Sequence, residues 1–156
     1  MAILKPGAQA PDFTLPDLDG ARRSLKDLLS QGPVLLAFFK VSCPTCQYTL
    51  PFLERLKNGK TRLVGISQDN QGHTQQFNRE YGVTFPVLLD AAADDYPVSN
   101  AYGLTHVPSL VWIEPEGRVL LASVGFVRDE LKEIARRAGP LELFHKDERV
   151  EAFRAG

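Results

Sequence analysis

Cys43 and Cys46 are the only two cysteines in a chain of 156 residues, and they form the sequence Cys43-Pro44-Thr45-Cys46. Two thiols at that spacing can exchange with a disulfide. The attacking species is a thiolate, which forms a mixed disulfide with the substrate; a second thiol within reach then releases the product. That chemistry asks for one exposed sulfur stabilised as an anion and another held beneath it. Val34-Leu35-Leu36-Ala37-Phe38-Phe39 precedes the pair as a short, continuous apolar run, the pattern of a strand buried on both faces of a parallel sheet. Leu50, Phe52, Leu53 and Leu56 follow with helical spacing. The pair therefore belongs at a strand-to-helix junction, where the free N–H groups and partial positive charge of the helix N-terminus favour an anion. Cys43 is expected as the attacking sulfur in the first turn and Cys46 as the resolving one. Pro44 suits that turn, where its missing N–H costs nothing.

Other uses of two cysteines weigh against this. Half a zinc site needs two further ligands, and His73, His106 and His145 are scattered and unpaired. No metal and no cofactor are expected. A structural disulfide closing so short a loop would stabilise little. An inert pair is the remaining alternative.

The length suits one domain with a real core, assigned here to residues 1–140. Residues 141–156 form an extension. The net charge is −1 and no basic block appears, so neither nucleic acid nor an anionic membrane is an expected partner. The longest candidate span, Val119 to Val127, is interrupted by Ser123 and Gly125. The first residues lack the charged and apolar regions of a signal peptide, which predicts a cytoplasmic protein. A chain whose leader had been removed would look the same and would be periplasmic.

Along the chain, Asp17-Leu18-Asp19-Gly20 predicts a hairpin turn between Phe13-Thr14-Leu15 and Ala21-Arg22-Arg23. Ser24 and Asp27 have capping-box spacing before a short helix over Leu25 to Leu29. The helix after Cys43 carries Pro51, yet its apolar face continues, which predicts a kinked helix reaching about Lys57. Arg62 to Ser67 reads as a strand, and Asp69 or Asn70 as the cap of a helix over Thr74 to Tyr81. Strand, helix, strand, helix in this order points to a parallel α/β unit. Phe85 to Asp90 is extended, residues 91–95 a loop, and Pro97 to Tyr102 a short helix. Leu110 to Ile113 and Arg118 to Val124 flank the turn Glu114-Pro115-Glu116-Gly117 as an antiparallel hairpin. Val127, Leu131, Ile134 and Ala138 share a helical face, with Gly139-Pro140 as its stop. The extension carries Leu141, Leu143, Phe144, Val150 and Phe153 among charges, as a strap packed on the domain or an arm for a partner.

From about Pro6 to Gly139 the chain resembles the thioredoxin superfamily, in its TlpA-like and peroxiredoxin-like (AhpC/TSA-type) branch. The matching pieces are Pro11 to Gly20, Cys43-Pro44-Thr45-Cys46 with Pro51 at the kink, Tyr81 to Asp90, and Tyr102-Gly103 through Val107-Pro108-Ser109 to Gly117. The resemblance implies an α/β, thioredoxin-like fold: a central mixed β-sheet flanked by helices, with an N-terminal hairpin and a C-terminal tail. It also implies that the Val107-Pro108 bond is cis and faces the cysteines. The backbone of Val107 would then be free to pair with an extended substrate segment, and Pro44, Thr45, Val107 and Pro108 would line the substrate site.

Two departures stand out. Ser42 replaces a common tryptophan. Ala37 replaces the acid that thioredoxins proper bury beneath the pair, so the proton acceptor for Cys46 is unassigned. Glu54 reads as a solvated helix residue, and Lys40 as a strand-end lysine reaching into solvent. The resemblance implies a thiol–disulfide oxidoreductase whose partners are a protein or small-molecule disulfide and a thiol electron donor. A thiol peroxidase is the first alternative, weakened by Lys40 in the place where peroxiredoxins carry a threonine. A non-catalytic redox sensor or binding module, including a copper chaperone, is the second.

Overall fold

The computed structural model describes residues 3–139 and 142–156. The expectations for Pro140 and Leu141 lie outside them. A five-stranded mixed sheet runs in the order β5-β4-β3-β6-β7. Its strands are β3 (Val34–Phe39), β4 (Arg62–Ser67), β5 (Val87–Leu89), β6 (Ser109–Ile113) and β7 (Val119–Val124). β3 pairs parallel with β4 and β4 with β5, whereas β6 runs antiparallel to both β3 and β7. The resemblance implied this mixed, helix-flanked sheet. A separate hairpin of β1 (Thr14–Pro16) and β2 (Arg22–Ser24) precedes it. The Asp17 carboxylate accepts the N–H groups of Asp19 and Ala21 and so closes the hairpin turn.

β3 is central and buried along its whole length. Its alternation feeds two cores. Leu35, Ala37 and Phe39 meet Cys46, Leu50, Leu53, Phe77, Leu131 and Ile134 on one face. Val34, Leu36 and Phe38 meet Phe13, Leu15, Leu25, Val98 and Tyr102 on the other. This two-sided burial is why the sequence shows an unbroken apolar run instead of an alternating one.

Helix α1 (Leu25–Leu29) starts where Ser24 Oγ accepts the Asp27 N–H at 3.0 Å. Helix α2 (Pro44–Leu53) contains Pro51 and tightens into a 3₁₀ turn at Glu54–Leu56, so the helical path reaches Leu56 with its last turn overwound. Asn70, not Asp69, caps α3 (Gln71–Tyr81), accepting the His73 N–H at 2.8 Å; Gly82 ends the helix in the left-handed region at φ 70°. Residues 92–94 form a 3₁₀ turn before α4 (Pro97–Ala101). The Asp90 carboxylate lies at the start of α4 and accepts the N–H groups of Val98 and Ser99. Val127 lies just outside α5 (Arg128–Ala138), in the two-residue strand β8 (Phe126–Val127); the buried face of α5 is Leu131, Ile134, Ala135 and Ala138.

Residues 142–156 pack back on the domain. Leu143 is buried, and the Phe144 ring lies 5.0 Å from Phe52 and 6.1 Å from Phe126. Arg55 donates to the Leu143 carbonyl at 2.7 Å and forks onto Glu148 at 2.6 and 2.7 Å. A final strand, β9 (Phe153–Arg154), pairs antiparallel with β8.

Candidate active site

Cys43 is the N-cap of α2, with extended backbone at φ −86° and ψ 114°. The Cys46 N–H points at the Cys43 sulfur, 3.1 Å away, so a free amide of the first helical turn addresses that atom. Such a hydrogen bond strengthens when its acceptor becomes an anion. The Cys43 thiol in turn lies 3.4 Å from the Val107 carbonyl, to which it donates when protonated. Both cysteines are free thiols; Cys43 is half-buried and Cys46 fully buried.

The two sulfurs thus occupy different environments although they share one helical turn. Burial pushes the Cys46 thiol far above its ordinary range. Its hydrogen bond with Cys43 and the negative charge of Cys43 and Asp69 add to this, while the Lys40 backbone N–H opposes it. Cys46 therefore holds its proton in the reduced protein. Ala37, 0 % exposed, lies in the same core cluster as Cys46, and no carboxylate stands at that position of the sheet.

The loop ahead of Cys43 is held by residues far away in sequence. The Asp69 carboxylate accepts the Val41 N–H at 2.8 Å, and the Gln47 amide donates to the Val41 carbonyl at 2.9 Å. Asp69 is itself aimed by Ser67, whose hydroxyl accepts the Asp69 N–H at 3.1 Å. Neither Asp69 nor Gln47 carries a sequence signal for this role, beyond Asp69 lying just past the end of β4.

The Val107-Pro108 peptide bond is cis, which puts the Val107 carbonyl beside Cys43. Pro44 is exposed at the helix start. Thr45 is 7 % exposed, and the tail lies on it: Thr45 Oγ1 donates to the Ala155 carbonyl at 2.6 Å. Of the residues singled out in the sequence, Cys43, Cys46, Thr45, Val107 and Pro108 come together here.

Glu54 differs from its sequence reading. Its carboxylate accepts the Thr84 N–H at 2.8 Å, the Phe85 N–H at 3.3 Å and the Thr84 hydroxyl, and pairs with Lys57 at 2.9 Å. Burial alone would raise this carboxyl, but the hydrogen bonds from Thr84, Lys57 and Phe85 outweigh it and hold the group low. Glu54 therefore ties the end of α2 to the chain entering β5. The Lys40 ammonium has no hydrogen-bond or ion-pair partner among the described residues. Among those residues no group of three or more His, Cys, Asp or Glu side chains converges as metal ligands would, and no helix is long and apolar enough to cross a membrane.

Residues 6–122 match the family model described as the AhpC/TSA family. The chain is similar to the thiol-disulfide oxidoreductase ResA of Bacillus subtilis, 34 % identical over 130 residues that make up 80 % of this chain and 70 % of that protein. Its fold is similar to the thioredoxin domain of a thiol-disulfide oxidoreductase from Bacteroides vulgatus, with TM-score 0.76 and 23 % identity over 87 % of this chain and 99 % of that one. It is also similar to the peroxidoxin BcpB of Mycobacterium tuberculosis, with TM-score 0.72 and 25 % identity over 86 % and 96 % of the two chains.

Proposed function

The chain belongs to the AhpC/TSA family, and from that premise we propose that it is a thiol–disulfide oxidoreductase working through Cys43 and Cys46. The observation that carries the reading is the asymmetry of the pair. Cys43 caps the helix and receives the Cys46 N–H, while Cys46 is buried one turn below and keeps its proton. In the reducing direction the Cys43 thiolate attacks one sulfur of a substrate disulfide. A mixed disulfide forms and the other substrate sulfur leaves as a thiolate. Cys46 then loses its proton and attacks the Cys43 sulfur. The second substrate thiol departs, the substrate has gained two electrons, and the pair is left oxidised until a thiol donor reduces it.

Val107 and Pro108 form the docking turn in this reading. The Val107 carbonyl lies beside the reacting sulfur, in position for backbone pairing with an extended substrate segment. Pro44 and Thr45 border the sulfur on the helix side. The similarity to the thiol-disulfide oxidoreductase ResA supports the oxidoreductase reading itself. The experiment is insulin reduction with dithiothreitol as donor. Cys43→Ser abolishes turnover, and Cys46→Ser accumulates a mixed disulfide visible by mass spectrometry. Full multi-turnover activity in Cys46→Ser refutes the mechanism.

A peroxidase reading draws on the family match and on the likeness to a peroxidoxin. There the Cys43 thiolate would attack a peroxide, giving a sulfenic acid and water or an alcohol, and Cys46 would condense with it to the disulfide. Lys40 stands where the peroxide-binding threonine would be expected, which ranks this reading second. Consumption of micromolar peroxide coupled to a thioredoxin system would reverse the ranking.

A further inference from the structure

The tail ends its path on the cysteine site. After the Arg55–Glu148 anchor, the Glu151 N–H donates to the Tyr48 hydroxyl at 3.1 Å. The Arg128 N–H then donates to the Ala152 carbonyl at 3.0 Å, and β9 pairs along β8 with Phe126 opposite Arg154. The Arg154 guanidinium stacks 4.7 Å above the Tyr48 ring and pairs with Glu151 at 3.3 Å. The next carbonyl, of Ala155, accepts the Thr45 hydroxyl inside the Cys43-Pro44-Thr45-Cys46 turn. The backbone runs so close to Gly125 that a Cβ there would stand 2.7 Å from the Arg154 carbonyl. At Gly156 a Cβ would stand 2.6 Å from the Val107 carbonyl and 3.1 Å from His106. Gly125, at φ 74°, and Gly156 are thus the places where two backbones meet without room for a side chain.

Thr45, Val107 and the strand edge at Phe126 are the surface on which an extended substrate chain would lie. We propose that residues 150–156 occupy the protein-docking groove as an intramolecular competitor, so that a protein disulfide reaches Cys43 only after displacing them, while a small disulfide does so without displacing them. The inference rests on the oxidoreductase reading for the identity of the competitor's rival. The contacts have the form of strand addition: main-chain pairing to β8, a hydroxyl on a tail carbonyl, and one cation stacked on an aromatic ring. Val150 at its start packs partly buried against the core, but beyond it no buried side chain holds this last stretch: Phe153 is 62 % exposed and the Arg154 side chain lies over Tyr48 at the surface. The deep anchor, Leu143 with Phe144, lies upstream, so residues 150–156 can lift while the rest of the tail stays seated.

The test uses the full chain with Arg154→Pro, which removes the ladder N–H, the stacked cation and the ion pair with Glu151. Phe153→Ala serves as the control. Activity is read as kcat/KM for insulin and for glutathione disulfide. Access is read separately, as the rate of Cys43 alkylation by a maleimide bearing a bulky polyethylene glycol and by iodoacetamide. Losing one hydrogen bond together with the stacked cation corresponds to a population change of about tenfold. Arg154→Pro is expected to raise insulin kcat/KM and bulky-maleimide reactivity by about that factor, leaving glutathione disulfide and iodoacetamide within about twofold. Phe153→Ala is expected to match the parent. An unchanged ratio of bulky to small reagent in Arg154→Pro overturns the proposal. If neither protein exchanges with any disulfide, the oxidoreductase reading fails, and the alkylation ratio still decides whether the tail covers the sulfur.

Discussion

The resolving half of the exchange cycle should depend on pH in a way set by one buried sulfur. Cys46 is 0 % exposed, burial pushes its thiol up, and Ala37 offers no acceptor in the core cluster they share. A thiol far below its pKa is deprotonated in a fraction that grows tenfold with each pH unit. If release of the mixed disulfide runs through the Cys46 thiolate, its rate should climb about a hundredfold between about pH 6.5 and about pH 8.5, without a plateau. The assay loads Cys43 with a fluorescent small thiol and follows its release by stopped flow, with Cys46→Ser as the blank. A flat profile, or a plateau near neutrality, would refute the reasoning and reveal a proton acceptor close to Cys46. Equilibrium stability gives an independent check with a definite sign. In the unfolded chain the thiol ionises near its ordinary value of about 8.5, while the native thiol keeps its proton to higher pH. The contribution is complete below about pH 8.5 and declines above it by at most about 1.4 kcal/mol per pH unit. Urea denaturation of the reduced protein should show that decline, and Cys46→Ala should lessen it.

Glu54→Gln is expected to cost about 1–3 kcal/mol at pH 7, because it weakens charge-assisted hydrogen bonds to Thr84 and Phe85. Since the native carboxyl is held low, that difference is full above about pH 4.3 and fades as acid protonates the group; paired denaturation curves at several pH values measure it. The tail anchor has its own acid limit. Hydrogen bonds from Arg55, then from the His145 N–H, hold the Glu148 carboxyl down at about 2. Its contribution is complete above the unfolded value of about 4.3 and disappears as pH falls through about 2. The Leu143 methyl NMR signals should therefore shift between those limits, and Glu148→Gln should show the loosened tail at neutral pH.

Local patterns were readable wherever a few neighbouring residues decide the outcome. Ser24 and Asn70 cap helices through N–H groups three residues on. Pro51 leaves its mark on a helix that continues through a tightened turn. Glu54 was misread because its partners, Thr84 and Phe85, are thirty and thirty-one residues away, and a charged residue near a helix end looks the same in sequence whether solvated or engaged.

The sequence alone determined that two cysteines stand where a doubly buried strand passes into a helix. The apolar run and the helical spacing on either side are consequences of backbone periodicity. The Val107 carbonyl, sixty-four residues from Cys43, is expected beside the pair only through the family resemblance, and the Ala155 carbonyl, one hundred and ten residues from Thr45, is placed by the tertiary structure alone. Contacts at such separations depend on how the sheet orders its strands and where the tail returns. Single backbone hydrogen bonds of this kind use groups that every residue type possesses, so no residue type in the chain announces them.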